Sequence, residues 1–550
     1  MYPSTLPRTR FPEIWSRLIK EDPPDPRGAA GDLMALIEET FGCEQIDHVV
    51  VNRAASFLFD LRPLGFSGLG WNIVVVSHPP ANNDEASWQA EFLAEQKQAA
   101  DSIGFCFHLY LANERPPKNK FVASSQDAVF LSRNDLEQIF AAPIPKMAFA
   151  AIVRSQTPLS RLCPFNTSQE ASGAMFYGRR PELSLLVDEL DKSVAIEGAR
   201  RLGKTSLLRH AYRTLRSRYN STGDRPRVFY FNCLTWSNYA TACLSLAHQI
   251  DPKREQRLEK ADRNIEYMLE RASRGGTRPL YVFFDEVDRL IDLDAASNWR
   301  FFSLLAWAKA AGYIRFVVGG YRSVSRLVLG QQSQRTAVFG PLAESTPPPV
   351  DTPLLLAMEL LHLKPLERKD ADSLLCDPLK IADVTLRNEQ AILDRVWKAT
   401  IGHPFLIQFI GQQLYRIAVE RTPHYITPED VALVEESADL REFLETHFIE
   451  NTHQNGFPVT QERACAFLFA HSQAASWSEL DFWEACKKHR VPLGHDELGT
   501  IHRAVKNLED AQVLTRAHGR SSFAFPMMRQ VLMTALPDVT KGLRALVGGG

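Results

Sequence analysis

The stretch Glu197–Leu208 reads EGARRLGKTSLL and contains G-x-x-x-x-G-K-T. In that pattern Gly198 and Gly203 allow successive backbone N–H groups to curl around phosphate oxygens. Lys204 can reach β- and γ-phosphates, the Thr205 hydroxyl can ligate Mg²⁺, and Ser206 joins them in the first turn of a helix whose positive dipole end favours an anion. A phosphate loop of this kind needs an acid on a neighbouring strand to hold the metal and, in a hydrolase, a second acid to orient water. PLYVFFDEV (Pro279–Val287) supplies both. Its apolar run carries the chain to the carboxyl edge of a sheet, where Asp285 is placed for Mg²⁺ and Glu286 for the attacking water. GGYRSV, past a later strand, sets Arg322 where a guanidinium can approach a γ-phosphate. The chemistry is the binding and hydrolysis of ATP with Mg²⁺. Lys204, Asp285, Glu286 and Arg322 are the catalytic candidates, and Thr205 and Asp285 the metal ligands.

These residues need an α/β scaffold, and the sequence supplies one. From Phe176 to about Leu366, short apolar runs alternate with helical stretches: SVAIE (Ser193–Glu197), RVFYFN (Arg227–Asn232), PLYVFFDEV, IRFVVGG (Ile314–Gly320) and MELLHLKPL (Met358–Leu366). Apolar strands separated by helices imply a parallel sheet covered on both faces. Upstream, WNIVVVS (Trp71–Ser77) and GFCFHLYLA (Gly104–Ala112) flank a helical pattern, a β-α-β arrangement, and AVFLS (Ala128–Ser132) precedes a helix capped near Asn134. Beyond Leu366 the pattern is helical to about Asn451. Thr460–Leu536 then holds three short helical stretches, a strand pair turning at His518–Arg520 and a last helix.

Taken in order, FYGRRPEL, GARRLGKTSLL, FFDEVDRL, LKPLERKDADSLL and TIGHPFLIQFIG resemble the STAND class of P-loop ATPases, in its archaeal-ATPase-like branch related to AAA+ and origin-recognition ATPases. The likeness covers Phe176 to about Leu536. It implies a P-loop sheet in the order 5-1-4-3-2, a helical lid and a winged helix. It also implies that Tyr177, Gly178 and Arg179 lie along the adenine, and that Gly402, His403 and Pro404 form the lid's G-x-P, with Pro404 near the base. Pro404 equally suits the first turn of any helix. Gly319 and Gly320 stand where AAA+ relatives keep a polar residue, which argues for slow turnover. FPMMRQVL lacks the histidine motif of animal and plant relatives, and no repeat sensor follows the winged helix, so sensing falls to the N-terminal region or a partner. The expected domains are 1–160, an α/β domain of unassigned role; 161–175, a linker; 176–366, the ATPase core; 367–455, the lid; 456–540, the winged helix; and 541–550, a flexible tail.

Composition excludes other classes. In 550 residues the formal net charge is −2, so nucleic acid contact would need a local patch. The eight cysteines form no C-x-x-C and no zinc spacing, the start MYPSTLPRTRFPEIW lacks a signal-peptide core, and FFSLLAWAKAAGYIRFVVGG is broken by Lys309, Gly312 and Arg315. A reduced, cytoplasmic, non-membrane protein is expected. The resemblance implies an ATP-dependent switch in signalling or defence, with a protein partner or self-association. The alternative is a DNA-binding AAA+-like ATPase, a loader or a regulator of transposition or replication. It would use Arg503, Lys506, Arg516 and Arg520, against which Asp496, Glu497, Glu509 and Asp510 repel phosphate. Asp60 with Glu95 and Lys97 has the residue types of a nuclease, but E-x-K falls in a helical pattern, the wrong geometry. Arg200 and Arg201 occupy variable loop positions, and one of them is expected to contact the lid or a neighbouring subunit.

Overall fold

In the computed structural model the runs that sequence marks as buried become strands, and β6, β7 and β8 end at Glu197, Asn232 and Asp285. The structure describes residues 6–21, 24–41, 44–51, 54–60, 71–77, 103–114, 128–157, 162–167, 170–171, 175–189, 191–199, 201–220, 227–250, 269–270, 279–296, 299–320, 358–449, 460–472, 474–510 and 513–535. Arg200, Arg322, Glu95, Lys97 and most of the charged stretch 251–274 lie outside the described residues, as does the helical pattern expected before Gly104. The chain divides into two compact units. One comprises Met1–Tyr177, Lys369–Leu393 and Leu406–Val431, and the other Gly178–Arg368, Asp394–Phe405 and Ala432–Gly550. This grouping cuts across the boundaries drawn from sequence, because segments of the helical region 367–455 fall in each unit.

In the first unit, helices α1 (Leu6–Leu18) and α2 (Ala29–Phe41) precede strands β1 (Glu44–Val51), β2 (Ala54–Asp60), β3 (Trp71–Ser77), β4 (Ile103–Tyr110) and β5 (Ala128–Leu131), then α3 (Arg133–Ala141) and α4 (Pro145–Arg154). The strands form one sheet in chain order. β1, β2 and β3 pair antiparallel, whereas β3, β4 and β5 pair parallel. Parallel neighbours need a crossover between them, in keeping with the β-α-β pattern read at 71–112. The β1–β2 pair adds two strands that the sequence pattern did not mark. Phe11, Leu33, Met34, Phe107 and Phe149 close the core beneath the helices. The cap of α3 is Ser132 and not Asn134: Ser132 N–H and Oγ both donate to Asp135 Oδ2, and Asp135 N–H reaches back to Ser132 Oγ. That reciprocal Ser-x-x-Asp box satisfies two helix-end donors at once, which Asn134 could not do.

The second unit holds the phosphate-loop sheet. After α5 (Arg180–Val187) come β6 (Ser193–Glu197), α6 (Lys204–Asn220), β7 (Val228–Asn232), α7 (Tyr239–Ile250), β8 (Leu280–Asp285), α8 (Asp288–Ala296), α9 (Arg300–Ala310), β9 (Ile314–Gly320) and β10 (Met358–His362). The strands lie in the order β10-β6-β9-β8-β7 and every neighbouring pair is parallel. The fold is therefore a P-loop NTPase-type α/β sheet. Its core is aromatic: Phe231, Phe284 and Phe316 of the strands meet Trp236 and Phe301, with Phe284 and Phe301 edge to face at 5.8 Å.

Helices α10 (Arg368–Ile381), α11 (Glu389–Thr400), α12 (Pro404–Val419), α13 (Pro428–Glu436) and α14 (Ala438–Leu444) follow, with two-residue strands β11 (Thr385–Leu386) and β12 (Tyr425–Ile426) paired in the first unit. A π-helical turn, Glu445–Ile449, extends α14. The C-terminal segment has α15 (Thr460–His471), α16 (Glu479–Lys488), α17 (Glu497–Asp510), the hairpin β13 (Leu514–Ala517) and β14 (Arg520–Phe523), and α18 (Pro526–Ala535). The hairpin turns on His518 and Gly519, both with positive φ, which matches the twist of its strands. Among the described residues no helix is long and apolar enough to cross a membrane.

One glycine sets how closely α6 lies on the sheet. A Cβ at Gly319 would come 2.5 Å from Leu208 Cδ1 and 3.4 Å from Asp285 Oδ1. A side chain there would have to displace that of Leu208, which fits the glycine at this strand end. Gly319→Ala is expected to destabilise the second unit by about 1–3 kcal/mol, the usual cost of overpacking. Denaturant unfolding would show a lowered midpoint, and an unchanged midpoint would mean that α6 is not held as described.

Candidate functional site

The site forms where β6 and β8 reach the carboxyl edge. After β6 the chain turns through Gly198, which lies so close to the exit of β10 that a Cβ would stand 3.0 Å from Leu363 Cβ. Leu363 N–H donates to Glu197 O at 2.8 Å, fixing that edge. Arg201 (φ 63°) and Gly203 (φ 95°) take left-handed conformations as the loop curls into α6. Lys204, 7% exposed, arches back so that Nζ donates to Gly198 O at 2.7 Å and Ala199 O at 2.9 Å. Thr205 and Ser206 occupy the first turn of α6 as the sequence predicts, and Ser206 is buried.

Arg179 has a place in this loop that its sequence assignment did not include. Its Nη2 donates to Leu202 O at 3.1 Å while Nη1 pairs with Glu182 at 3.3 Å. It is 8% exposed and, with Gly178, has positive φ. The side chain ties the segment preceding the sheet to the phosphate loop. Tyr177 belongs to the other unit, where its hydroxyl bonds to Asp377; burial and that carboxylate push the Tyr177 pKa up.

Asp285 closes β8, level with Gly319 and 1% exposed. Its two carboxylate oxygens are engaged separately: Oδ2 accepts from Tyr230 Oη at 2.6 Å and Oδ1 from Glu286 N–H at 3.0 Å. Tyr230 sits on β7, and its ring lies under the Arg209 guanidinium at 4.6 Å. Burial and the Asp285 charge hold the tyrosine protonated, so it acts as the donor. Sequence analysis missed Tyr230. Its signal was its place two residues before the strand end at Asn232, which pairs with Asp285 across the ladder. Glu286 follows with φ 55°, a conformation that costs a non-glycine residue about 1–2 kcal/mol. Strain of this kind concentrates at functional positions.

The fit to Mg²⁺ rests on that carboxylate: it is held at a strand end by a neutral donor and a backbone N–H. Gly319 lies beside both Asp285 and Leu208, so strand end and α6 converge there. Among the described residues no group of three or more His, Cys, Asp or Glu could hold a metal alone.

The turn at 400–405 also reaches the loop. Leu366 N–H donates to Gly402 O at 2.9 Å, and a Cβ at Gly402 (φ 76°) would stand 2.3 Å from Leu366 O. Pro404 takes the first position of α12. Phe405, next along, carries the Arg201 guanidinium 4.1 Å over its ring. His403 is fully buried between Phe448 and Phe525, each 5.3 Å away, and neither ring nitrogen has a hydrogen-bond partner among the described residues. Burial first, then the Arg179 and Arg201 charges, push its pKa down to about 3. Burial and Arg201 push that of His447 down to about 4.

The four basic residues assigned to DNA fare unequally. Arg516 pairs with Glu479 at 2.8 Å, and Arg520 with Asp481 at 3.1 Å and with Ser476. Arg503 donates to Thr500 on its own helix, and Lys506 is exposed on α17. The hairpin arginines are thus committed to carboxylates of the same chain.

No protein-family model matches the chain, and comparison with curated proteins finds no match. Solved structures that it is similar to include a Walker-type ATPase of Pyrococcus abyssi, 15% identical, with 65% of this chain and 96% of that one covered and a TM-score of 0.43. The ORC2 protein of Aeropyrum pernix in ADPNP and ADP complexes is 13% identical over 67% and 94%, with a TM-score of 0.43. The ORC1 protein of the same organism in complex with DNA is 14% identical over 66% and 94%, with a TM-score of 0.36. At these TM-scores the likenesses add nothing to the chain's own geometry.

Two outcomes are expected of this site. Tyr230→Phe should raise the Mg²⁺ concentration for half-maximal ATP turnover about tenfold, the usual effect of losing a hydrogen bond to a metal-binding carboxylate. An unchanged Mg²⁺ titration would remove Tyr230 from the site. For His403 the folded pKa lies below the ordinary value of 6.5, so the unfolded chain binds the extra proton between the two. Its contribution is complete above about pH 6.5 and is lost as pH falls toward 3, by at most about 1.4 kcal/mol per pH unit. Unfolding measured from pH 7.5 to 5 should show this decline, and His403→Leu should flatten it; equal slopes in both proteins would refute the neutral buried imidazole.

Proposed function

We propose that this chain is an AAA+-like P-loop ATPase that binds ATP and Mg²⁺ at residues 198–206 and hydrolyses the γ-phosphate. The observation that carries this reading is the meeting at one sheet edge of a lysine-closed phosphate loop and the paired acids Asp285 and Glu286. Gly198, Gly203, Lys204, Thr205 and Ser206 would hold the phosphates, and Thr205 and Asp285 the Mg²⁺. Bound there, the ion supplies neutralisation of the phosphate charge. Lys204 withdraws charge from the β- and γ-phosphates, Glu286 orients and deprotonates the attacking water, and Arg322 stabilises the charge that develops. Gly178, Arg179 and Pro404 would border the base, with 176–366 as the core, 367–455 as the lid and 456–540 as a winged helix.

Two finer readings share this chemistry. In the first, the ATPase works on DNA as a loader or a regulator of replication or transposition. The arrangement of α15–α17 followed by an exposed hairpin supports it, with Arg503 and Lys506 on α17 as the contacts. In the second, the ATPase is a STAND-type switch in signalling or defence whose nucleotide state sets its contacts with a protein partner or with further copies of itself. The stacking of Arg201 of the loop on Phe405 beside Pro404 supports it. Lys204→Ala is expected to weaken ATP binding about 100-fold, and Glu286→Gln to keep binding while lowering turnover at least about 100-fold. Wild-type turnover in Glu286→Gln would refute the hydrolytic assignment. Salt-titrated DNA binding separates the readings: a Kd weaker than about 10⁻⁴ M at physiological salt, beneath ordinary non-specific binding, sinks the first.

A further inference from the structure

Arg201 has no part in the phosphate-binding pattern, since its position in G-x-x-x-x-G-K-T accepts any residue. Its left-handed backbone nevertheless places the guanidinium 4.1 Å over Phe405. Phe405 is 8% exposed and stacks on Phe443 at 4.7 Å and 24°. His447 meets both rings edge-on, at 5.3 Å from Phe405 and 4.7 Å from Phe443. Phe448, on the same π-helical turn, lies 5.8 Å from Phe525 at the start of α18, and both flank His403. A row of ring contacts thus runs from the phosphate loop through the 402–405 turn and the 443–448 segment to the C-terminal helix, all within one compact unit.

We propose that Arg201 is a positioning residue that couples occupancy of the phosphate loop to the packing of residues 438–449. The proposal rests on the reading of 198–206 as a nucleotide site and goes beyond it by naming the route. A guanidinium on a loop wrapped around polyphosphate is drawn by that charge, and each shift toward the phosphates is a shift away from the face of Phe405. Without the cation over its face, Phe405 keeps its stack on Phe443 and its ring contacts with His447 and Phe448. The π-helical turn that carries His447 and Phe448 is an irregular element suited to such a change, because π-turns interrupt the regular hydrogen-bond ladder. Nucleotide then favours one of two packings of the segment, which is what a ligand needs in order to shift an equilibrium. His403 and His447 face Arg179, Arg201, Phe405, Phe443, Phe448 and Phe525. As neutral rings they add no charge to compete for the arginine above about pH 6.5.

The test is amide hydrogen exchange of residues 438–449 in the full chain, with and without a saturating non-hydrolysable ATP analogue and Mg²⁺. Wild type, Arg201→Ala, Arg201→Lys and Phe405→Leu are compared, and saturation of each is verified by equilibrium titration. Wild type is expected to change its exchange rate in this segment at least about fivefold on saturation, the lower end of ordinary coupling. Arg201→Ala and Phe405→Leu should reduce the change to less than about twofold, while Arg201→Lys, which keeps a cation, should restore most of it. A purely structural role for the arginine would shift exchange equally in both nucleotide states. Equal responses in wild type and Arg201→Ala overturn the coupling, as does a wild-type segment that ignores bound nucleotide. A wild-type chain that fails to bind the analogue refutes the nucleotide site itself and the proposal with it.

Discussion

The rest of the second unit is built around an unfavourable requirement of the phosphate loop. A loop that turns its N–H groups inward to receive phosphate leaves its carbonyls facing the other way, where each needs a donor. Here the donors are cations. Lys204 takes the carbonyls of Gly198 and Ala199, and Arg179 takes that of Leu202. The same side chains that satisfy the loop therefore concentrate positive charge around it, although the whole chain carries a formal charge of only −2. Loop geometry and anion affinity come from one set of bonds, and this explains why Arg179 is buried yet lies outside the eight-residue motif.

The acid side of the site follows a different logic. Asp285 has to emerge from a buried strand without losing its charge or its orientation. A neutral tyrosine hydroxyl and the N–H of the next residue hold it, and neither neutralises it. The chain then turns at Glu286 with a positive φ, directly after its N–H has bonded Asp285 Oδ1. Gly319 completes the fit by letting β9 run between α6 and Asp285. Phosphate loop, acid and intervening strand are thus fitted to one another at side-chain resolution.

Much of this was legible in the sequence because it is local. β6 and β9 begin and end at the residues read from their apolar runs, and α6 starts at Lys204, since strand, glycine loop and helix are marked by neighbours in the chain. What stayed hidden depends on residues far apart in sequence. Tyr230 meets Asp285 across 55 positions, Arg179 meets Leu202 across 23, and Arg201 meets Phe405 after some two hundred. No period or composition records such pairs. The β1–β2 pair was missed because EQIDHVVV alternates weakly and reads as no definite element. Ser132 stands at capping-box spacing from Asp135, so its role as the cap was legible in the sequence although Asn134 was the residue marked.

The two ends of the ring-contact row have opposite electrostatics, and this bears on what the C-terminal segment can do. At the loop end, Arg179 and Arg201 act with burial to keep the His403 imidazole neutral, and Arg201 with burial does the same for His447. At the hairpin end, Arg516 and Arg520 are spent on Glu479, Asp481 and Glu509, which fastens β13 and β14 to α16 and α17. Pairs this exposed add little stability, but they cancel the charge that a phosphate backbone would otherwise meet. A DNA-binding role would then have to rely on α17 itself, which carries Glu497 and Glu509 as well as Arg503 and Lys506. A protein surface imposes no such demand on charge. The physical asymmetry is between a loop whose cations are arranged to receive an anion and a hairpin whose cations are already matched within the chain.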